Sequence, residues 1–375
     1  MPAARLAPTL LIASALLAPP TTVNAEDPMP KPHHRPNGFQ NNYLAFEPKG
    51  LDELLKWKLD ANRNDLPKPP RTPTPTTQPD TAFIQANATA GATMQPAITW
   101  IGHATMLAQM GGLNLLTDPV FSARVSPLSF VGPKRHVAPG LALAELPHID
   151  VVLISHNHYD HLDDASVRAL ANQTGGAPLF IVPLGIKAWL AERGIAGAVE
   201  LDWWQSHAIP SAAGPVEVVL TPAQHWSGRG FNDRLATLWG SYAVFAPDLH
   251  LFFSGDTGYS QDFSDIRARF AARQTIEAGG GFDIALLAIG AYEPRWFMRS
   301  QHVNPDEAVQ IHLDLNAKRS VGIHWGTFEL TDESLDQPPI DLAAARRAKN
   351  VPDADFFVLA VGETRQLTKR QGNSR

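Results

Sequence analysis

Short apolar runs that end in a polar residue or a glycine recur between residues 98 and 323. Runs of this length, bounded by Gly, Pro, Asp or Ser, are typical of buried strands. Glycines at 111 and 112 separate two of the runs and predict a turn. The predicted strands are ITWIG (98–102), TMLAQM (105–110), LNLLTDP (113–119), IDVVLIS (149–155), VEVVLTPAQ (216–224), HLFFSG (250–255), DIALLAIG (283–290) and RSVGI (319–323).

Segments with apolar residues at helical spacing alternate with these runs. The last of them has Asn304 as a cap, Pro305 at the first helical position and acids in its first turn. Strands that alternate with helices predict an α/β layered fold. The predicted helices are LDELLKWKLDANR (51–63), DDASVRALANQ (163–173), GIKAWLAERG (185–194), DFSDIRARFAARQ (262–274) and NPDEAVQIHLDL (304–315).

The N-terminal part of the chain has a different pattern. Residues 1–25 predict a secretory signal peptide, and hence export to a bacterial periplasm, because an apolar stretch at 10–18 precedes small residues at a cleavage point after Ala25. The following extension contains a proline-rich segment at 66–79, which is expected to run extended along the surface or to be mobile. The predicted organisation is 1–25 signal peptide, 26–95 N-terminal extension and 96–368 main folded domain.

Composition narrows the chemistry. The 375 residues are 44% hydrophobic and 18% charged, which is typical of a folded protein, and a net charge of −6 does not favour nucleic acid as a partner. There is no cysteine, so disulfides and a cysteine nucleophile are excluded. The Gly-x-Ser-x-Gly pattern of a serine nucleophile is also missing from the sequence. Any metal must therefore be held by His, Asp and Glu.

The stretch SHNHYDHLD places His156, His158, Asp160 and His161 within six positions. In extended geometry His156 and His158 face the same side, whereas Asp160 and His161 point in different directions, so one loop can serve two metal ions. A single histidine after a strand is usually a hydrogen-bonded residue at the edge of the sheet. That explanation does not account for four candidate ligands together, so a metal site is favoured. Imidazole and carboxylate suit zinc, and also iron or manganese.

Three more predicted strands end close to His225, Asp256 and His324. Longer strings surround all of these positions: WIGHAT (100–105), LTDPVF (116–121), GPKR (132–135), ELPHIDVVLISHNHYDHLD (145–163), LDWW (201–204), TPAQHW (221–226), GDTGY (255–259), IGAYEPRWFM (289–298), QHVNPDEAV (301–309) and IHWGTF (323–328). In these strings the chain resembles the metallo-β-lactamase fold hydrolases and, more specifically, the N-acylphosphatidylethanolamine-hydrolysing phospholipase D family.

The resemblance implies a four-layer αββα fold in a single domain with an N-terminal extension. It also implies two zinc ions per chain, each with its own set of protein ligands and one carboxylate shared between them. The implied ligands are His156, His158 and His225 for one ion, Asp160, His161 and His324 for the other, and Asp256 as the bridge.

The family's activity implies zinc-dependent hydrolysis of N-acylphosphatidylethanolamine-like phospholipids to N-acylethanolamine and phosphatidic acid, with a hydroxide between the metals attacking phosphorus. The resemblance assigns catalysis to Asp160, Gln301 and His302, the last two as contacts to the phosphate or donors to the leaving oxygen. Spacing alone would make His302 a capping or surface residue. Asp118 is expected either to orient a ligand histidine or to be a turn residue before Pro119. The same two roles are open for His103, and for it the structural role is favoured.

The segment YEPRWFMRS at 292–300 sets apolar side chains between two arginines, which suits acyl chains below an anionic headgroup. Ordinary core packing is the alternative for this segment, as it is for Tyr159 beside the predicted ligands. The predicted substrate contacts are Tyr159, Arg295, Trp296, Phe297 and Met298.

Two other classes of function stay open. A metallo-hydrolase of a lactone, a β-lactam or a sugar-phosphate ester would keep these ligands but would have a small polar pocket where a lipase has a broad apolar groove. A binding module that retained only the fold would be favoured by the loss of a ligand, and none is lost. The expected partners are the phospholipid and no nucleic acid, and the resemblance suggests a homodimer and peripheral contact with a membrane surface.

Overall fold

The computed structural model describes residues 31–46, 48–128, 130–230 and 232–370. The predicted signal peptide lies outside these ranges. From His33 onward the chain forms one compact unit. Within the described ranges, no helix has both the length and the apolar composition needed to cross a membrane.

The described part of the chain contains sixteen strands and eight α-helices. The strands are β1 (His34–Arg35), β2 (Gly38–Phe39), β3 (Ala97–Gly102), β4 (Thr105–Met110), β5 (Leu113–Thr117), β6 (Val151–Leu153), β7 (Leu179–Pro183), β8 (Ala198–Leu201), β9 (Ser206–Ile209), β10 (Val216–Thr221), β11 (Ser241–Phe245), β12 (His250–Phe253), β13 (Ile284–Ala288), β14 (Ser320–Ile323), β15 (Phe356–Phe357) and β16 (Thr364–Gln366). The helices are α1 (Leu51–Arg63), α2 (Thr81–Ala88), α3 (Asp164–Ala171), α4 (Ile186–Ala191), α5 (Asp262–Arg269), α6 (Arg295–Met298), α7 (Pro305–Asp314) and α8 (Gln337–Lys349).

Two seven-stranded sheets form the centre of the fold. The first has the order β16-β3-β4-β5-β6-β7-β8 and the second the order β15-β14-β13-β12-β11-β10-β9. In the first sheet the strands from β16 to β5 are paired antiparallel and those from β5 to β8 are paired parallel. In the second sheet the strands from β9 to β12 are paired antiparallel and those from β12 to β15 are paired parallel. The two sheets are therefore built alike. Three of the four loops described below follow strands of the parallel ladders, and the fourth follows the antiparallel strand β10.

The sheets pack face to face, with helices on both outer faces. One large apolar cluster joins side chains of the two sheets, including Trp100 and Phe252, and continues to α5, α7 and α8. A second cluster lies between the other face of the first sheet and α3 and α4, where Val167 and Leu190 pack with Phe180. This arrangement confirms the predicted α/β fold with four layers in the order αββα.

The two predicted helices with the clearest sequence features form as expected. In α7 the Asn304 side chain accepts from Glu307 N (2.9 Å) and the Glu307 carboxylate accepts from Asn304 N (3.1 Å), a reciprocal cap. Helix α1 has the predicted bounds. Its buried residues are Trp57 and Ala61, whereas its leucines lie largely on the solvent side.

The proline-rich segment at 66–79 was expected to run extended along the surface or to be mobile, and in the structure it runs extended. The backbone N–H groups of Arg71 and Thr72 donate to Asp336, and Thr74 Oγ1 donates to Gly326 O (2.7 Å). Thr76 pairs with Val361 in a parallel bridge. The segment is thereby attached to the loop that follows His324.

Candidate metal centre

The loops that follow β6, β10, β12 and β14 bring the seven predicted ligands to one place. Each ligand follows the last residue of its strand by a few positions, so the strands position the loop and the loop positions the side chain. His158 and Asp160 are partly exposed, and the other five are buried. The seven are His156, His158, Asp160, His161, His225, Asp256 and His324.

Three imidazoles form the first group of ligands. His158 Nδ1 lies 2.8 Å from His156 Nε2 and 3.3 Å from His225 Nε2. The outer nitrogens of the other two rings have protein partners, because His156 Nδ1 contacts Ser155 Oγ (2.9 Å) and His225 Nδ1 contacts the carbonyl of Gln301 (2.8 Å). These contacts leave one nitrogen of each ring facing the common centre.

Asp160, His161 and His324 form the second group. The two imidazole Nε2 atoms are 3.1 Å apart, and each is 3.4 Å from Asp160 Oδ2. Asp118 Oδ2 accepts from His161 Nδ1 at 2.6 Å, which turns the other nitrogen of that ring toward the group.

Asp256 lies between the two groups. Its Oδ2 is 3.0 Å from His161 Nε2, and its Oδ1 is 3.2 Å from His324 Nε2. The same Oδ2 is 3.9 Å from the Nε2 atoms of both His156 and His225. One carboxylate therefore faces both sets of ligands, which is the geometry that a bridging ligand requires.

The chemistry of the donor set fits bound cations. Two imidazole nitrogens can share only one proton, yet three nitrogens of the first group lie within 4.8 Å of one another. A cation at the centre of each group would satisfy these lone pairs together. Burial and neighbouring imidazoles hold the pKa of His156 and of His158 well below the usual range, and burial lowers that of His225 to about 4. These rings are therefore neutral and ready to coordinate at neutral pH.

The second group has the opposite electrostatics. Burial alone would lower the pKa of His324, but the carboxylates of Asp256 and Asp160 raise it to about 9. Burial likewise opposes charge on His161, and the same two carboxylates together with Asp118 raise its pKa well above the usual range. Without a metal, these two imidazoles hold protons in the place where a cation would be.

Asp118 and His103, for each of which contact with a ligand was one of two interpretations, both contact a predicted ligand. Asp118, in a left-handed conformation (φ 31°), accepts from Ser155 N (2.7 Å), Ser155 Oγ (2.6 Å) and His161 Nδ1. His103 is buried, and its Nε2 lies 3.2 Å from Asp160 Oδ2. Burial lowers the pKa of His103 to about 3, so it is a neutral ring that can donate to Asp160. The sequence favoured a packing role for His103. The structure adds a direct contact between His103 and the predicted ligand Asp160.

Gln301 and His302 reach the centre in different ways. Gln301 contributes its backbone carbonyl to His225, while its side-chain amide points to Met298 Sδ (3.5 Å). His302 Nδ1 is buried 3.8 Å from Asp256 Oδ2. His302 is therefore not at the surface position that spacing alone predicts. The catalytic roles of both residues, and that of Asp160, stay predictions.

The predicted substrate contacts divide into fixed and exposed side chains. Arg295 donates to His302 O (2.9 Å) and Glu307 Oε2 (2.7 Å), and Tyr159 Oη donates to Arg229 O (3.0 Å). Phe297 and Met298 pack on Trp57. Of these predicted contacts, Trp296 is the most exposed ring, at 45%, and Lys56 Nζ lies over it, 4.5 Å from its centroid. Trp296 lines a cavity of about 300 Å³ with Leu44, Tyr259 and Arg299, whereas a larger cavity of about 590 Å³ opens beside Tyr159 and is lined by Arg124, Arg193 and Arg229.

One residue at the centre was not predicted from the sequence. Asn41 accepts a hydrogen bond from the backbone N–H of His225 (3.0 Å) across 184 positions of sequence. No spacing rule links an asparagine to a ligand at that separation, and only its place in an aromatic, polar segment of the extension offered any indication.

Comparison with known proteins identifies the family of the chain. Residues 113–325 match the family described as a β-lactamase superfamily domain. The chain is 39% identical over 279 residues to N-acyl-phosphatidylethanolamine-hydrolyzing phospholipase D 1 of Caenorhabditis elegans, which covers 72% of this chain and 76% of that protein. It is 30% identical over 270 residues to a metal-dependent hydrolase of Pyrobaculum arsenaticum, covering 72% and 99%.

A solved structure supports the fold independently of sequence. A protein of Veillonella parvula, described as a possible metal-dependent hydrolase, superposes with a TM-score of 0.56 and 18% identity. The match covers 73% of this chain and all of that one. At this identity the likeness concerns the fold alone.

Proposed function

The chain belongs to the β-lactamase superfamily of metal-dependent hydrolases and, within it, to the family of the N-acylphosphatidylethanolamine-hydrolysing phospholipases D, and we propose that it is a two-zinc phosphodiesterase of phospholipase D type. Its proposed substrates are N-acylphosphatidylethanolamine-like phospholipids. The proposed products are N-acylethanolamine and phosphatidic acid.

The position of Asp256 is the observation that carries this proposal. A carboxylate within 4 Å of imidazoles from both ligand groups can hold two cations side by side. Paired cations suit in-line displacement at phosphorus, because they stabilise the attacking and the leaving oxygen together. When bound, the ions lower the pKa of water and act as Lewis acids on the phosphoryl oxygens.

The protein's own residues hold this site and handle the protons. Asp118 and the carbonyl of Gln301 fix the ring orientations of His161 and His225, so that each ligand nitrogen points inward. Burial, opposed by Asp256, lowers the pKa of His302 to about 3. His302 is therefore neutral at physiological pH and can donate its single N–H to a phosphoryl or leaving-group oxygen next to Asp256.

An exposed apolar surface on α1 supports a lipid substrate. Leu51, Leu55 and Leu59 follow one another at every fourth position of α1 and are 80%, 62% and 55% exposed; we call them the leucine stripe. Trp57, on the buried side of α1, contacts Phe297 with ring centroids 4.8 Å apart. Exposed leucines on an amphipathic helix insert into the boundary between headgroups and acyl chains. We therefore propose that this face rests on the phospholipid surface and presents lipid to the metal centre.

Product analysis tests the reaction. Purified protein, either loaded with zinc or stripped by chelation, is mixed with N-acylphosphatidylethanolamine vesicles and the lipids are identified by mass spectrometry. The proposal predicts N-acylethanolamine and phosphatidic acid with zinc, and neither after chelation nor with Asp256→Asn. If a folded, zinc-loaded sample cleaves a lactone, a β-lactam or a sugar-phosphate ester but no phospholipid, the alternative metallo-hydrolase function replaces this one.

A further inference from the structure

A strap of the N-terminal extension, residues 33–46, crosses the loop that carries His225. At one end His33 and His34 contact the two oxygens of Asp202 at 2.6 and 2.8 Å. At the other end the ring of Phe46 stacks on that of Trp226, with centroids 5.2 Å apart. Trp226 in turn lies edge-on to the ligand His158, at 4.2 Å. The strap therefore spans the ligand loop on its outer side.

Asn41 is the point where the strap meets a ligand directly. Its side chain is buried, and its Oδ1 accepts from two donors, the backbone N–H of His225 (3.0 Å) and the indole N–H of Trp239 (3.1 Å). The ring of His225 is fixed separately by the carbonyl of Gln301. Backbone and ring of this ligand thus have different anchors, and the backbone anchor comes from outside the part of the chain that matches the superfamily, which begins at residue 113.

The reason for this contact is the cost of an unpaired buried donor. The His225 N–H lies in a strand-end loop that cannot continue the β10 ladder, and Asn41 is its acceptor among the described residues. A buried N–H without an acceptor is strongly unfavourable, so the loop would shift to reach water or another oxygen. A shift of the backbone moves the imidazole with it, and coordination is sensitive to such displacements.

We propose that Asn41 is a positioning residue of the metal centre, holding His225 in place so that the three-histidine group binds its cation tightly. This inference rests on the proposed two-metal site. If Asn41 has this role, the strap contributes to metal binding, although it lies in the N-terminal extension and supplies no ligand. The sequence separates Asn41 from every ligand by more than a hundred residues.

The neighbouring residue provides a matched control. Asn42 Nδ2 donates to Asp262 Oδ1 (2.7 Å), at the start of α5, and contacts no ligand. Asn41→Leu removes the acceptor and roughly retains the side-chain volume, whereas Asn41→Asp retains an acceptor oxygen at the same position. Asn42→Leu removes a different side-chain anchor of the same strap, an exposed amide that donates to a carboxylate. The three variants separate the contact with His225 from general attachment of the strap.

Zinc binding is the readout, measured on folded apoprotein by competition with a chromophoric chelator, with melting temperatures in parallel. Asn41→Leu is expected to lower the affinity for one of the two zinc ions by about 10- to 100-fold. This is the range found when a hydrogen-bond partner of a metal ligand is removed. Asn41→Asp is expected to restore most of this affinity, and Asn42→Leu to leave it unchanged. If Asn41→Leu does not fold, Asn41→Ser, whose hydroxyl is too short to reach His225 N, takes its place.

Two results would overturn the proposal. Zinc affinities of Asn41→Leu equal to those of the wild type would show that His225 needs no anchor from the strap. Equal losses in Asn41→Leu and Asn42→Leu would show that only overall attachment of the strap matters. Wild-type protein that binds no zinc would instead refute the two-metal function itself, so the two failures are distinguishable.

Discussion

Asp118 Oδ2 lies 2.6 Å from His161 Nδ1 and accepts, in addition, the hydroxyl of Ser155 at 2.6 Å. Because that hydroxyl is used as a donor, Ser155 Oγ accepts from His156 Nδ1 (2.9 Å). A single carboxylate thus sets the tautomers of two ligands, one in each group. In the neutral form that binds a cation, both rings therefore carry their proton on Nδ1 and direct Nε2 at the centre.

Replacement of Asp118 therefore affects both groups of ligands. In Asp118→Asn the amide cannot accept all three N–H and O–H donors, so the rings of His161 and His156 lose their fixed tautomers. We expect zinc affinity to fall about 10- to 100-fold, as for other partners behind metal ligands. Chelator competition measures the effect. Asp150→Asn is the control, since the Asp150 carboxylate accepts from the backbone and side-chain N–H groups of Asn114 on the neighbouring strand; an equal loss there would contradict this account.

Removal of a ligand is expected to abolish turnover without unfolding the protein. His158→Ala and Asp256→Asn each take away a group on which the cations depend, and the apolar clusters between the layers do not include either residue. Activity on vesicles and circular dichroism are the measurements. His148→Ala, at an exposed position, should behave like the wild type. Full activity of Asp256→Asn would disprove the two-metal mechanism.

Zinc binding to the apoprotein should release protons at neutral pH. His324, with its pKa raised to about 9, and His161, raised well above the usual range, are protonated before binding and must be neutral afterwards. Apparent affinity at this group therefore rises with pH up to about 9, whereas the three-histidine group, with lowered pKa values, contributes no protons. Calorimetry in buffers of different ionisation enthalpy measures the release. Binding without proton release would contradict the charge distribution described here.

Charges in the leucine stripe should weaken vesicle binding and leave the chemistry intact. Full burial of a leucine side chain is worth about 1.5–3 kcal/mol, so the double change Leu51→Glu with Leu55→Glu is expected to reduce partitioning at least about tenfold. Co-sedimentation with phospholipid vesicles measures it, and a short-chain substrate in solution reports the chemistry. Ile276→Glu is the control, as Ile276 is 91% exposed on a different segment. Equal losses in both variants would argue against a specific docking face.

Arg295 is expected to stabilise the fold rather than to contact lipid. Its guanidinium bonds to Glu307 and to the carbonyls of His302 and Tyr292, so Arg295→Ala leaves several buried groups unpaired and should cost about 1–3 kcal/mol of unfolding free energy. Denaturant unfolding measures this cost. Arg299→Ala removes a more exposed neighbour of Glu307 and should change little. If Arg295→Ala keeps full stability but loses lipid binding, the original prediction of a substrate contact is the better one.

The ligands could be predicted because their signal is local. Each follows an apolar run, and four of the seven fall in SHNHYDHLD, so strand ends and spacing suffice to place them together. The same pattern gives the α/β class and eight of the sixteen strands that the described residues form. Helices α2, α6 and α8 were not predicted, nor were eight strands, which are β1, β2, β7, β8, β9, β11, β15 and β16. Helix α8 was missed because two prolines at its start resemble a break, although proline is well tolerated in a first turn.

Other features depend on contacts that no local pattern contains. Periodicity in α1 identifies a leucine face but not whether that face packs, and here Trp57 is buried instead. Asn41 has no feature of its own that marks it as a partner of His225. His302 has the spacing of a capping or surface residue, yet it lies beside Asp256, with its carbonyl bound by Arg295 and its N–H by the carbonyl of Met298.

The most direct test is hydrolysis of N-acylphosphatidylethanolamine vesicles by the zinc-loaded protein in water labelled with oxygen-18. Attack at phosphorus predicts one labelled oxygen in the phosphatidic acid and none in the N-acylethanolamine, with no turnover after chelation. Label in the N-acylethanolamine, release of diacylglycerol, or the same yield without metal would contradict the account.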